Sequence, residues 1–250
     1  MSAHLQITDL SVSFNGFVAV DGLSLSVDKG ELRCLIGPNG AGKTTTLDLI
    51  CGKTKADGGS IRYADREIRN LEEHLIARAG VGRKFQVPSV FSQLTVRENL
   101  EVAYCKHTGV FSNLRRPAGK TERDGLEKLC DFVGLQDFLD EPAAFLSHGQ
   151  TQWLEIALLL AQDSELILLD EPTAGMTPQE TQKTADICNR LRGKHTIVVV
   201  EHDMGFVREI CDVISVMHQG ALLAEGSAEE IGQDAKVKEV YLGKVGIPGA

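Results

Sequence analysis

"ELRCLIGPNGAGKTTTLDLI", residues 31–50, changes character twice within one short stretch. ELRCLIG, residues 31–37, reads as a short, mostly buried strand run ending in glycine. Lys43 onward reads as a helix that Gly52 closes. Between them GPNGAGKTT, Gly37 to Thr45, fits G-x-x-x-x-G-K-[ST] in the strand–loop–helix setting such a motif requires. Glycines let a backbone wrap an anion, so the N–H groups of Asn39, Gly40, Ala41, Gly42, Lys43, Thr44 and Thr45 are expected to point inward at a phosphate chain. The start of the helix adds a favourable partial charge. Lys43 is placed to reach the terminal phosphates, and Thr44 to offer its hydroxyl to Mg²⁺.

Two later strands end in polar residues. "LILLDEP", residues 166–172, carries Asp170 and Glu171 at the end of an apolar run. Ligands sit at the carboxyl ends of strands in open α/β sheets, so these acids belong beside the loop. Asp170 is expected to hold Mg²⁺, because a hard cation prefers carboxylate oxygen, and Glu171 to polarise a water for attack on the terminal phosphate. "TIVVVEHD", residues 196–203, repeats the arrangement with Glu201, His202 and Asp203. His202 then falls at the same sheet edge, while Asp203 reads as an N-cap for the helix that follows. "KFQ", Lys84 to Gln86, ends another short strand, where Gln86 is suited to binding the attacking water or Mg²⁺.

Around these motifs, the first 36 residues read as strands and residues 57–70 as turn signals with a short hairpin. Periodicity is helical from about 88 to 163, interrupted by a polar, loop-like stretch at 106–125. After residue 165 strands and helices alternate, which implies a parallel sheet covered on both faces. The chain of 250 residues is 42% hydrophobic and 24% charged, ordinary for a globular protein, and its net charge of −9 argues against nucleic-acid binding. Six cysteines without a CxxC pair read as small buried hydrophobes, not as a disulfide framework. No signal peptide is evident and no apolar run approaches a bilayer span, so a cytoplasmic location is expected.

GPNGAGKTT, Gln86, LSHGQ (residues 146–150), LILLDEP and His202, in that order, resemble the ATP-binding cassette ATPases along nearly the whole chain. The resemblance implies a P-loop NTPase α/β core of ABC ATPase type with an antiparallel β subdomain and an inserted α-helical subdomain. Residues 1–87 and 164–250 would then form the nucleotide-binding core and 88–163 the helical unit of one domain. It implies ATP and Mg²⁺ as cofactors, with Thr44, Gln86 and Asp170 at the metal and Glu171, His202 and Gln86 in catalysis. In that family two cassettes sandwich ATP head to tail, so Ser147, His148, Gly149 and Gln150 would face ATP held by a partner. Phe14 falls where the family stacks an aromatic ring on adenine, with Phe17 as a rival and a core role as the alternative.

The usual signature is LSGGQ, so His148 is a departure that reads as a subfamily variant. Thr177 stands where an aspartate is common. "FQVPSVFSQLTVRENL" and the polar 106–125 stretch look like cassettes of branched-chain amino-acid importers. LSHGQTQWLEIA, AGMTPQET and VVVEHDMGFVREI look more like the urea-importer ATPase, which is the favoured solute at this point. Such systems hold the cassette at the inner face of the membrane, paired with a second, different cassette (a homodimer being the alternative for the isolated chain), with two transmembrane permease subunits and, indirectly, with a periplasmic binding protein. A cassette ATPase outside transport and a nucleotide-dependent module without turnover are the other classes.

Overall fold

The computed structural model describes residues 3–84, 90–104 and 120–242. The alternating N-terminal segment forms two long antiparallel strands, β1 (Leu5–Phe14) and β2 (Phe17–Val27). Asn15 and Gly16 join them, both at positive φ, as a tight turn matched to strand twist demands. β4 (Gly58–Tyr63) pairs with the other edge of β1, and β5 (Arg66–Glu67) completes a four-stranded antiparallel sheet, β2-β1-β4-β5.

A second sheet holds the apolar runs. β3 (Leu32–Ile36), β6 (Val81–Lys84), β7 (Leu166–Asp170), β8 (Thr196–Val200), β9 (Val213–His218) and β10 (Ala221–Gly226) are ordered β10-β9-β3-β8-β7-β6. All pairings in it are parallel except β9 with β10. Successive side chains of a strand point to opposite faces, so each run serves two cores at once. Leu35, Leu166, Leu168, Val198 and Val200 pack with the antiparallel sheet and α1 (Lys43–Ile50). Cys34, Ile36, Ile167, Leu169, Ile197 and Val199 face the helices.

That helical layer contains α3 (Val96–Tyr104), α4 (Lys120–Val133), α5 (His148–Ala161), α6 (Pro178–Leu191) and α7 (Met204–Ile210). One contiguous core joins it to the sheet, so the segment read as a helical unit is packed on the strands and not strung out from them. α2 (Glu73–Arg78), α8 (Ala228–Gln233) and α9 (Ala235–Leu242) complete the described helices. None of the described helices is long and apolar enough to cross a membrane.

The structure departs from the sequence reading in three places. α4 begins at Lys120, inside the stretch read as loop to residue 125, because Leu126, Cys130 and Val133 bury one face of a charged helix. The sheet is mixed, since the half-buried "ALLAEG" returns beside β9 as an antiparallel edge. Cys34 and Cys211 are disulfide-bonded across 177 residues of sequence with Cα atoms 5.9 Å apart, which corrects the reading of unpaired thiols. Cys51, Cys130 and Cys188 are free and buried. Alkylation in denaturant without reductant should therefore modify Cys51, Cys130 and Cys188 and spare Cys34 and Cys211. Peptide mass spectrometry reads the outcome, and full labelling of Cys34 would contradict the bond.

Candidate active site at the carboxyl ends of the parallel strands

The loop between β3 and α1 is shaped by backbone crowding. Gly42 has φ 97, and a Cβ there would stand 2.4 Å from the Ala19 carbonyl oxygen on β2. Gly37 has φ 151, and its Cβ would meet the Met217 carbonyl oxygen at 2.2 Å. No other residue type fits either place, because both the conformation and the contact exclude a side chain. Lys43 Nζ donates to the carbonyl oxygens of Gly37 (2.7 Å) and Pro38 (3.2 Å), so its ammonium lies across the mouth of the loop. Asn39 and Gly40 are exposed, while Thr44 is half-buried and turned toward β7.

Asp170 ends β7 at 1% exposure. Its Oδ1 accepts from Thr44 Oγ1 at 3.3 Å, and its Oδ2 accepts from the Arg83 guanidinium at 3.3 Å. Burial pushes this carboxyl above the usual aspartate range, while Arg83 and the Thr44 hydroxyl pull it back toward ionisation. Arg83, on β6, also pairs with Asp48 on α1 and so ties the helix of the loop to the strand of the acids. Lys84 beside it is buried and donates to the Asp170 carbonyl oxygen at 3.5 Å. Burial lowers its ammonium pKa against the pull of Glu155, Asp170, Glu201 and Glu171. Among the described residues no cluster of three or more His, Cys, Asp or Glu forms a metal site. Thr44 and Asp170 fit instead as two hard oxygen donors for a small divalent cation whose other ligands come from phosphate and water.

Glu171 follows in the left-handed region, at φ 46, with its N–H donating to the Val200 carbonyl at 2.9 Å. His202 Nδ1 stands 3.8 Å from Glu171 Oε1 and 3.8 Å from Glu201 Oε2, and its ring is largely exposed. Glu201 is buried and accepts from Thr173 N–H (3.1 Å), Thr173 Oγ1 (2.6 Å) and His202 N–H (2.9 Å). Asp203 caps α7 through Gly205 and Phe206 N–H, as its position predicts. The structure thus gathers Lys43, Thr44, Asp170, Glu171 and His202 at one sheet edge. Gln86 lies outside the described residues.

The other site residues lie apart from this group. Ser147 caps α5 in a capping box with Gln150, and its hydroxyl donates to Glu180 Oε1 at 3.0 Å. Gly149 admits that glutamate, since a Cβ there would lie 2.5 Å from Glu180 Oε1. His148 is the first residue of α5, in ordinary helical conformation, and its Nε2 donates to the Ala174 carbonyl at 2.9 Å. Thr177 caps α6 with Glu180, doing locally what an aspartate does at an N-cap. Phe14 is 45% exposed and Phe17, its cross-strand partner, 64% exposed, so neither is a core residue. Arg83 was not singled out from sequence, and Glu201 was named at its strand end without a role; the short strand VGRK that bears Arg83 has no apolar run to make the arginine conspicuous.

Residues 20–174 match the ABC transporter family. The chain is 39% identical over 249 residues to the high-affinity branched-chain amino acid transport ATP-binding protein of Pseudomonas aeruginosa, covering 96% of this chain and 98% of that one. It is 35% identical over 246 residues to a probable branched-chain amino acid transport ATP-binding protein of Archaeoglobus fulgidus, covering 96% and 95%. Among solved structures, the ADP conformation of an ATP-binding cassette of an ABC transporter superposes with a TM-score of 0.86 at 31% identity, covering 97% of this chain and all of that one.

Arg83 is 4% exposed at its side chain, and removing it leaves Asp170 as a buried charge without its cation. Arg83→Met should lower stability by about 3–5 kcal/mol at neutral pH, measured by urea unfolding. Arg83→Lys should recover only part of this, because an ammonium cannot span Asp48 and Asp170 as a planar fork does.

Proposed function

The chain belongs to the ABC transporter family as one of its ATPases, and we propose that it is the ATP-hydrolysing subunit of an importer for branched-chain amino acids. The observation that carries the catalytic part is the 3.3 Å approach of Thr44 Oγ1 to Asp170 Oδ1, which brings the loop and the acids to one point. The names of its relatives support branched-chain amino acids as the solute. They give no support to urea, which LSHGQTQWLEIA and its companion segments favoured. Identity near 39% along almost the whole chain weighs more than a few short segments.

In this reading the N–H groups from Asn39 to Thr45 and the Lys43 ammonium hold the phosphates, and Phe14 stacks on the adenine. Thr44, Asp170 and Gln86 would hold Mg²⁺, which when bound would neutralise phosphate charge that the protein alone does not offset. Glu171 takes the proton of the attacking water, and His202, near it just past the end of β8, orients the terminal phosphate. The site is a positioning device, because phosphoryl transfer needs charge placed correctly more than it needs covalent chemistry.

Ser147, His148, Gly149 and Gln150, at the start of α5, would face ATP held by a second cassette. Charge-assisted hydrogen bonds contribute about 1.5–3 kcal/mol each, so several across the phosphates suffice to close two subunits, and hydrolysis reopens them. Residues 1–87 and 164–250 would act as the nucleotide-binding part and 88–163 as the part that passes motion to two permease subunits. The subunit would sit at the cytoplasmic face of the membrane, opposite a periplasmic binding protein.

Glu171→Gln should keep ATP affinity near wild type while lowering turnover at least about 100-fold in the assembled transporter, the scale of losing a positioned base. Turnover within a fewfold of wild type would remove Glu171 from that role. For the solute, ATPase activity of the assembled complex should rise with binding protein loaded with leucine and not with urea. The reverse pattern would restore the urea assignment.

A further inference from the structure

The reading above gives His148 a place only toward ATP held by a second cassette, yet within this chain its ring is already engaged. Its Nε2 lies 2.9 Å from the Ala174 carbonyl oxygen, and a carbonyl only accepts, so Nε2 carries the hydrogen. The neutral Nε2–H tautomer and the imidazolium both make this bond, so the contact does not depend on charge. Gly175, at φ +74, passes against the ring, where a Cβ would stand 3.6 Å from Cδ2 and Nε2.

What His148 holds is the turn that begins at Glu171. Glu171 sits at φ 46, a region a glutamate seldom occupies, so the surroundings must maintain it. Ala174 N–H donates to the Glu171 carbonyl at 3.2 Å and Met176 N–H to the Thr173 carbonyl at 3.1 Å, closing the turn on itself. From the sheet side, Glu201 grips Thr173 through its N–H and hydroxyl. From the helical side, His148 grips Ala174. Glu180 meets both Ser147 (3.0 Å) and Thr177 (2.9 Å), so the start of α5 and the start of α6 are joined on the same side of the turn.

We propose that His148 is a positioning residue for Glu171, latching the first turn of α5 to the Glu171–Gly175 turn within one chain. The proposal rests on the reading of Glu171 as the base. The latch makes the geometry of Glu171 sensitive to any shift of α5, the helix that starts at the signature. A glycine at 148, the residue the family signature usually carries, has no side-chain donor and leaves the turn held from the sheet side.

The test uses the full chain with His148→Leu, which removes the donor, and His148→Gln, whose amide nitrogen reaches about as far as Nε2. His148 is exposed, so neither change disturbs the core. Hydrogen exchange of a peptide covering 171–177 should be roughly three- to tenfold faster in His148→Leu, the scale of one net hydrogen bond, and near wild type in His148→Gln. In the assembled transporter, kcat should fall by a similar factor in His148→Leu, and His148→Gln should restore it. Unchanged exchange in His148→Leu overturns the latch. Faster exchange with unchanged kcat overturns its effect on Glu171. Wild-type turnover by Glu171→Gln is a separate result: it removes the base assignment and the catalytic half of the proposal, whatever the exchange shows.

Discussion

A carboxylate buried at the end of a central strand is costly unless its surroundings answer its charge, and Asp170 is such a carboxylate. Its two oxygens are divided between Thr44, from the helix of the phosphate loop, and Arg83, from the neighbouring strand. Arg83 in turn is anchored by Asp48 on that same helix. The three-way tie fixes β6, β7 and α1 relative to one another. It also leaves one face of Asp170 turned toward the loop, where a cation and phosphates would complete its coordination. Much of the site's geometry therefore follows from offsetting one buried negative charge.

The same economy governs the residue after it. Glu171 leaves the strand through a left-handed bend, which swings its side chain toward His202 and away from the apolar core. Such a bend persists only where neighbours hold it, and here they come from opposite layers: Glu201 through Thr173, and His148 through Ala174. Reactive geometry at this sheet edge is thus shared between the strands and the helical layer. That is the physical basis on which motion of one can be felt by the other.

The strands that bear the site were legible because each is a short, mostly apolar run with a turn or polar residues at its carboxyl end: LRCLI before Gly37, LILLD closing on Asp170, and TIVVV before Glu201 and His202. GPNGAGKTT was legible because glycine spacing and backbone crowding are linked, and Gly37 and Gly42 show that link directly. β10 and α2 escaped notice, since half-buried edge elements carry only weak periodicity. The start of α4 was misplaced because a charged helix with one apolar face looks like loop when its partners are unknown. His148 stood out as a letter but not as a contact, since its partner is a backbone oxygen, and any residue has one.

By itself the sequence determined the class of fold, the phosphate loop, and the acids and histidine set at strand ends. Hydrophobic period and glycine spacing are local properties, and a local pattern is enough to state them. Only the tertiary structure decided which charges meet. Arg83 finds Asp48 across 35 residues and Asp170 across 87, His148 finds Ala174 across 26, and Cys34 finds Cys211 across 177. No spacing rule relates such pairs. Strand order and helix packing bring them together, and both are set by the burial of the whole core.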